Sequence, residues 1–224
     1  EKAVRETPAH RWTIHAKPRQ IGMSTIHCLL DVLWAWNCDA QGVDAACAIV
    51  LDTEAKAVGR LKQCEDFARQ LGIPHKRYAA GGSGPARIEF EGGALICAFG
   101  SKGTRVGSSY SFHRFHFSEL PYWHNATDLY NSLKPALSDD GVIVIETTMD
   151  VGGDPLARNL WVNNNDFHKV FYSVEDHHRF RRDPREISDE RFEELKEEGF
   201  RLRSAAAWWD WALENEAAGD EARL

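Results

Sequence analysis

Apolar and polar positions run along this chain in blocks that change period. Trp12-Thr13-Ile14-His15-Ala16 alternates and predicts a strand. From Met23 the spacing becomes helical, with Leu29, Leu30, Val32, Leu33 and Trp36 on the apolar side. Residues 46–52 form a near-continuous apolar run, the pattern of a strand buried on both faces of a parallel sheet. Residues 54–71 predict a helix through Ala57, Leu61, Cys64, Phe67, Ala68 and Leu71, with Thr53 as its cap. Gly81-Gly82-Ser83-Gly84-Pro85 is a loop, and residues 87–90 and 94–99 flank Glu91-Gly92-Gly93 as a hairpin. A polar, Gly-rich loop over 100–111 carries Lys102 and Arg105. A strand at 113–118, a helical segment at 126–137 and an apolar strand at 142–147 follow. Beyond the loop at Gly152 and Gly153, a helix starts from Pro155 and a last strand covers 170–172.

Strands alternating with helices predict an α/β fold with crossover connections, hence a mostly parallel sheet flanked by helices. From Ser188 the chain turns helical, acidic and Trp-rich, with Trp208, Trp209 and Trp211. The expected organisation is a core over residues 1–185 and a helical, acidic lid or linker appendage over 186–224.

Composition changes this picture only slightly. With 224 residues, 43% hydrophobic and 27% charged, the chain is an ordinary globular sequence with ample core. No apolar run approaches the roughly 20 residues of a membrane span. The chain begins at Glu1, not Met, and is expected to be a fragment. Five cysteines, without a C-x-x-C pair, suit a reduced setting rather than a disulfide or zinc framework. The net charge of −7 lies wholly after residue 185, where 12 acidic residues face 5 basic ones. The remainder is neutral, so charge neither forbids nor demonstrates a nucleic-acid surface. Ten histidines show no H-E-x-x-H spacing. The three late tryptophans suit helix packing better than base stacking.

The candidate chemistry begins at Lys17-Pro18-Arg19-Gln20-Ile21-Gly22-Met23-Ser24-Thr25, between the first strand and the first helix. Strand, tight loop and helix start form the context of a phosphate-binding loop. The first helical N–H groups lack backbone partners and carry the positive end of the helix dipole. Gly22 permits close backbone approach, and Ser24 or Thr25 places a hydroxyl where magnesium would sit. Relative to G-x-x-x-x-G-K-[ST], Lys17 replaces the first Gly and Met23 replaces the Lys. Lys17 and Arg19 are then the loop's cations. The other reading is a plain polar turn. Trp12 is a candidate for stacking on adenine.

A nucleotide hydrolase also needs an acidic group at the end of a neighbouring strand. The strand Phe115-His116-Phe117 ends in Ser118-Glu119, which puts Ser118 at the magnesium-side position and Glu119 at the water-activating one. The alternative for Glu119 is a solvated loop carboxylate.

Taken with Phe117-Ser118-Glu119-Leu120-Pro121-Tyr122-Trp123 and Ile145-Glu146-Thr147-Thr148, the loop resembles the ATPase domain of the large terminase subunit of tailed bacteriophages. The resemblance spans roughly residues 10–180. It implies a P-loop NTPase fold of the additional-strand, conserved-Glu type, with ATP and Mg2+ as cofactors. The implied function is an ATP-driven motor that threads double-stranded viral DNA into a procapsid. A portal protein, a small terminase subunit and a homo-oligomeric ring are the implied partners, in the host cytoplasm and transiently at the portal. The family's nuclease domain is not expected in these residues. By the resemblance, Arg19 neutralises or senses phosphates and Gln20 bonds nearby backbone or phosphate. Thr147 and Thr148 sense the γ-phosphate, unless they reflect only β-propensity at a strand end. Arg105 completes a neighbouring subunit's site, or is a solvated or DNA-contacting arginine. Two other functions stay open at this point: a helicase-like translocase, and a degenerate module that binds ATP without hydrolysing it, as Met23 and Ser118 suggest.

Overall fold

The run expected to be buried on both faces is strand β2 (Ala46–Leu51), and every one of its residues is buried. It lies inside an eight-stranded sheet in the computed structural model, which describes residues 10–18, 21–81, 84–102, 111–148, 154–164 and 166–215. The other strands are β1 (Trp12–Ala16), β3 (His75–Tyr78), β4 (Ala86–Phe90), β5 (Leu95–Gly100), β6 (Phe112–Ser118), β7 (Leu137–Thr147) and β8 (His168–Phe171). The helices are α1 (Met23–Ala40), α2 (Glu54–Gln70), α3 (Ala126–Leu133), α4 (Leu156–Asn163), α5 (Asp189–Glu197) and α6 (Arg203–Asn215). Spatial order is β3-β4-β5-β2-β6-β7-β1-β8. The central pairs β2–β5, β2–β6, β6–β7 and β1–β7 are parallel, while β3–β4 and β4–β5 are antiparallel.

Alternation along the strands separates two cores. Cys47, Ile49 and Leu51 meet Cys28 and Val32 of α1 and Leu61 and Cys64 of α2. Ala48, Val50, Phe115, Phe117, Ile143 and Ile145 face the other way, with Trp123, Tyr130 and Leu160. Each large side chain fully buried in these layers contributes about 1.5–3 kcal/mol. The five cysteines are free thiols, and four of them are buried in this packing. In α2, Thr53 accepts from the Lys56 N–H at 3.3 Å, as expected of its cap.

Three sequence expectations need correction. Residues 126–137 are not one helix: α3 stops at Leu133, and Lys134-Pro135-Ala136 makes a 3-10 turn because proline cannot donate to the helical ladder. The apolar strand expected at 142–147 starts earlier, at Leu137, and its polar first half is irregularly paired. Strand β3 escaped notice because His75-Lys76-Arg77-Tyr78 is polar, as suits a sheet edge protected by charge.

The chain divides into two compact units, residues 1–16 with 22–170, and residues 17–21 with 171–224. The expected boundary near residue 185 falls within the second. In that unit Ile187, Leu195, Ala206 and Ala207 form a small core, with Phe192, Phe200 and Trp209 packed on it. Ser188 caps α5, and Arg191 joins α5 to α6 through Asp210 at 2.8 Å. Trp208 packs on Phe180, and Arg182 lies over the Trp211 ring, so the late tryptophans serve packing. Among the described residues, no helix is long and apolar enough to cross a membrane.

Candidate functional site

Three neighbouring parallel strands end together. In register, Ala16 of β1 lies beside Thr147 of β7, and Ser118 of β6 beside Glu146 of β7. The carboxyl edge of a parallel sheet is where α/β folds hold ligands. Ser118 and Thr147, the last residues of β6 and β7, and Glu119 and Thr148, which directly follow them, lie on this edge.

Glu119 directly follows β6 and takes a left-handed backbone, φ 58° and ψ 48°. For a residue with a long side chain this is an uncommon, strained conformation of the sort that gathers at functional sites. Its backbone N–H donates to the Glu146 carbonyl at 3.0 Å, and its Oε2 accepts from the Thr148 N–H at 3.4 Å. The side chain is half-buried, not solvated at large. The Thr147 hydroxyl donates to the Thr148 carbonyl at 3.1 Å. Two residues named separately from the sequence, Glu119 and Thr148, are thus hydrogen-bonded to each other.

Gly22 opens α1 with φ 77° and ψ 8°. No acidic residue occupies the helix's first turn, so its positive end is not neutralised locally. A Cβ at Gly22 would meet nothing within 4 Å, which leaves backbone conformation as the reason for glycine. Gly22→Ala should therefore lower stability by about 1–2 kcal/mol, the scale of left-handed strain. Urea unfolding checks this, with Gly22→Asn expected to be milder.

Within α1, Met23 and Ser24 point inward and Thr25 is exposed, so Ser24 is the hydroxyl aimed at the sheet. Lys17 follows β1 directly and is 7% exposed. Arg19, Gln20 and Arg105 lie outside the described residues. Trp12 begins β1, so it stands at the opposite end of that strand from the loop. There it donates from Nε1 to the Gly141 carbonyl and lines a cleft with His10, Arg11, Asp166 and His168, which removes it as an adenine platform for this edge.

The buried face of α1 corrects the sequence reading further. Val32 is inside as expected, but Leu33 and Trp36 are 37% and 46% exposed. Ser24, His27, Cys28, Asp31 and Ala35 are buried instead. Below them lies a polar row of strand residues: Thr13 and His15 of β1, Arg114, His116 and Ser118 of β6, and Glu146 of β7, all buried. A register irregularity between Phe112 and Arg114 leaves Phe112 with the aromatic core and turns Arg114 toward α1.

Asp31 accepts from Arg114 Nε at 2.7 Å and pairs with His116 Nδ1 at 2.6 Å. Burial opposes both charges in the Asp31–His116 pair, but each partner's field wins. The Asp31 carboxyl is held down at about 2 by His116 and Arg114, and His116 is raised to about 10 by Asp31. The His27 ring lies 4.8 Å from His15 and 5.4 Å from His116. Burial first, and then those two neighbours, hold His27 well below its ordinary value, so it is neutral beside a cationic His116. The sequence did carry a signal for this row. Ser24, His27 and Asp31 recur at helical spacing, and Arg114, His116 and Ser118 alternate with Phe115 and Phe117.

No protein-family model matches the sequence, and no curated protein matches it. Solved structures match its architecture. The HK97 bacteriophage large terminase superposes with a TM-score of 0.62 at 13% identity, covering 99% of this chain and 47% of its own. The large terminase ATPase domain of Thermus phage P74-26 gives 0.55 at 11% identity, over 92% of this chain and 83% of its own. The large terminase of the thermophilic bacteriophage D6E, in complex with ATP-gamma-S, gives 0.59 at 8% identity, over 88% and 46%.

The chain has the fold of a large-terminase ATPase domain. It spans about half the length of the HK97 and D6E terminases. The P-loop NTPase architecture expected from the sequence is thus the observed one. In this terminase ATPase fold the strand-to-helix loop after β1, Ser118-Glu119 after β6 and Thr147-Thr148 after β7 belong to adjacent parallel strands.

Proposed function

We propose that the chain is the ATPase domain of a viral genome-packaging motor, hydrolysing ATP to drive double-stranded DNA into a procapsid. The observation that carries this reading is the bond from Thr148 N–H to Glu119 Oε2 on the carboxyl edge of a terminase-type sheet. Glu119 is the base that orients the attacking water. Thr148, bonded to it, and Thr147 register loss of the γ-phosphate. Gly22 and the first N–H groups of α1 receive phosphate oxygens. Lys17 supplies the cation that Met23 cannot, with Arg19 and Gln20 beside it in sequence, and Arg105 completes a neighbouring subunit's site in an assembled ring. Double-stranded DNA, a portal protein and a small terminase subunit are the partners this reading entails, with the host cytoplasm as the compartment.

Among the described residues, no group of three His, Cys, Asp or Glu side chains is arranged to hold a metal. A magnesium ion that arrives on a nucleotide needs only one or two protein ligands, because phosphates and water fill the remainder. The buried hydroxyls of Ser24 and Ser118 are hard oxygen donors of the right kind. Bound there, the ion would neutralise phosphate charge.

A second reading, ATP binding without hydrolysis, is favoured by Met23, whose side chain is buried in the position a strict motif gives to Lys. Phosphate release in the presence of double-stranded DNA separates the two. Turnover supports the motor, and nucleotide binding without turnover supports the passive module. Lys17→Ala should abolish nucleotide binding or turnover, whereas Met23→Ala should be milder, since Met23 fills core and not the phosphate site. Normal turnover in Lys17→Ala would remove Lys17 from the site.

A further inference from the structure

A nucleotide-bound magnesium ion ordinarily meets a carboxylate at the end of a sheet strand close to the phosphate loop. Ser118 stands at that position here and has none to offer. We propose that Glu146, one strand over on β7, supplies the metal-side carboxylate that position 118 lacks, with Ser118 as the residue that orients it. The inference rests on the ATPase reading above.

Four observations support it. Ser118 and Glu146 are register partners on adjacent parallel strands, so their side chains leave the same face of the sheet. That face is the one covered by α1, whose buried residues include Ser24 at the phosphate-loop end. The Ser118 hydroxyl donates to Glu146 Oε1. A serine Oγ sits about where an aspartate's carboxyl carbon would be. An acceptor hydrogen-bonded to it therefore lies close to where that aspartate's oxygens would be. Glutamate is long enough to bring its carboxylate across one interstrand spacing of about 4.8 Å. Finally, Asp31 holds Arg114 and His116 and Glu119 accepts from the Thr148 N–H, while Glu146 is the carboxylate that meets Ser118 itself.

The division of labour follows. Glu119 handles water, Glu146 handles the ion directly or through one of its waters, and Ser24 offers the loop-side hydroxyl. The backbone bond from Glu119 N–H to the Glu146 carbonyl ties the two acidic residues together, so the ion and the attacking water would be positioned from one rigid pair.

The test uses Mn2+, which occupies the same oxygen sites as Mg2+ and is read by electron paramagnetic resonance. The chain of 224 residues is saturated with ATPγS and titrated with Mn2+. Nucleotide affinity is measured separately in EDTA. Glu146→Gln should leave affinity in EDTA unchanged and weaken Mn2+ by at least about tenfold, the loss that even an outer ligand partner typically causes. S118D/E146Q, which returns a carboxylate to strand β6, should restore it. A purely structural role for Glu146 would not move Mn2+ affinity in folded protein, nor be rescued at position 118. Unaltered Mn2+ binding in Glu146→Gln overturns the proposal. Should that variant fail to fold, the double variant decides: wild-type Mn2+ binding upholds the assignment, and loss of binding in folded protein overturns it. Failure of the wild-type chain to bind ATPγS in EDTA and with Mn2+ alike would instead sink the ATPase reading on which the assignment stands.

Discussion

Glu119→Gln should bind ATP as the wild type does and hydrolyse it about 10²–10⁴-fold more slowly, the usual loss when a positioned general base is removed. The substitution keeps shape and an acceptor oxygen for the Thr148 N–H, so the local geometry survives and only the basicity disappears. Backbone anchoring favours this outcome. The Glu119 N–H is tied to the Glu146 carbonyl at 3.0 Å, and its left-handed φ of 58° directs the side chain away from the path a regular strand would give it. A second variant separates chemistry from folding. Glu119→Gly relieves the left-handed strain, so its melting temperature should not fall, yet hydrolysis should vanish with the carboxylate. Single-turnover phosphate release and equilibrium binding of a fluorescent ATP analogue read the two effects separately. Wild-type turnover in Glu119→Gln would return Glu119 to the role of a loop carboxylate.

Much of this fold was legible because it is periodic. The doubly buried run at β2, the hairpin β4–β5 and the cap at Thr53 all follow from local pattern, and strand–helix alternation implied the parallel sheet. Less legible was anything decided by partners distant in sequence. Helix α1 looked as if Leu29, Leu33 and Trp36 should face inward, because hydrophobicity is the usual arbiter of burial. Asp31 overrides that rule by meeting Arg114 and His116, 83 and 85 residues later in the chain. Glu146 was hidden for a related reason. It sits in an apolar strand beside Thr147-Thr148, and its meaning emerges only when β7 is laid against β6 and the missing carboxylate at Ser118 is seen from the side. The loop itself, with Lys17 and Met23 in unexpected places, was readable as a strand-to-helix junction because alternation over 12–16 gives way to helical spacing from Met23.

That buried polar row also fixes the helix that follows the loop against the strand that leads to Glu119, and it predicts the largest change in stability. Asp31→Ala should destabilise the fold by about 3–5 kcal/mol, the scale of breaking a buried ion pair from one side, because Arg114 and His116 would be left without their anion. Against a typical domain stability of about 5–15 kcal/mol this would leave the protein close to its unfolding threshold. The pH dependence gives an independent check. His116 is raised from 6.5 to about 10, so its contribution is complete below pH 6.5 and is lost as pH climbs through about 10. Asp31 is lowered from 3.8 to about 2, so its contribution is complete above pH 3.8 and is lost as pH falls through about 2. Both are present together between pH 3.8 and 6.5. Above that window the native state keeps the His116 proton that the unfolded chain has released. Stability should therefore fall with a slope of at most about 1.4 kcal/mol per pH unit from this group. Asp31→Ala removes the charge that raises His116, so the difference between wild-type and variant stability should shrink between pH 7 and 10. Urea unfolding at several pH values measures this directly. A difference that stays constant across that range would mean that His116 is not held protonated by Asp31. The apolar replacement D31L/R114M/H116L then asks what the row is for. Removing all three charges together avoids an orphaned ion, so much of the stability should return. If turnover stays low in that variant while stability recovers, the ion pairs serve to set α1 and its phosphate loop against β6. Full turnover would confine them to folding.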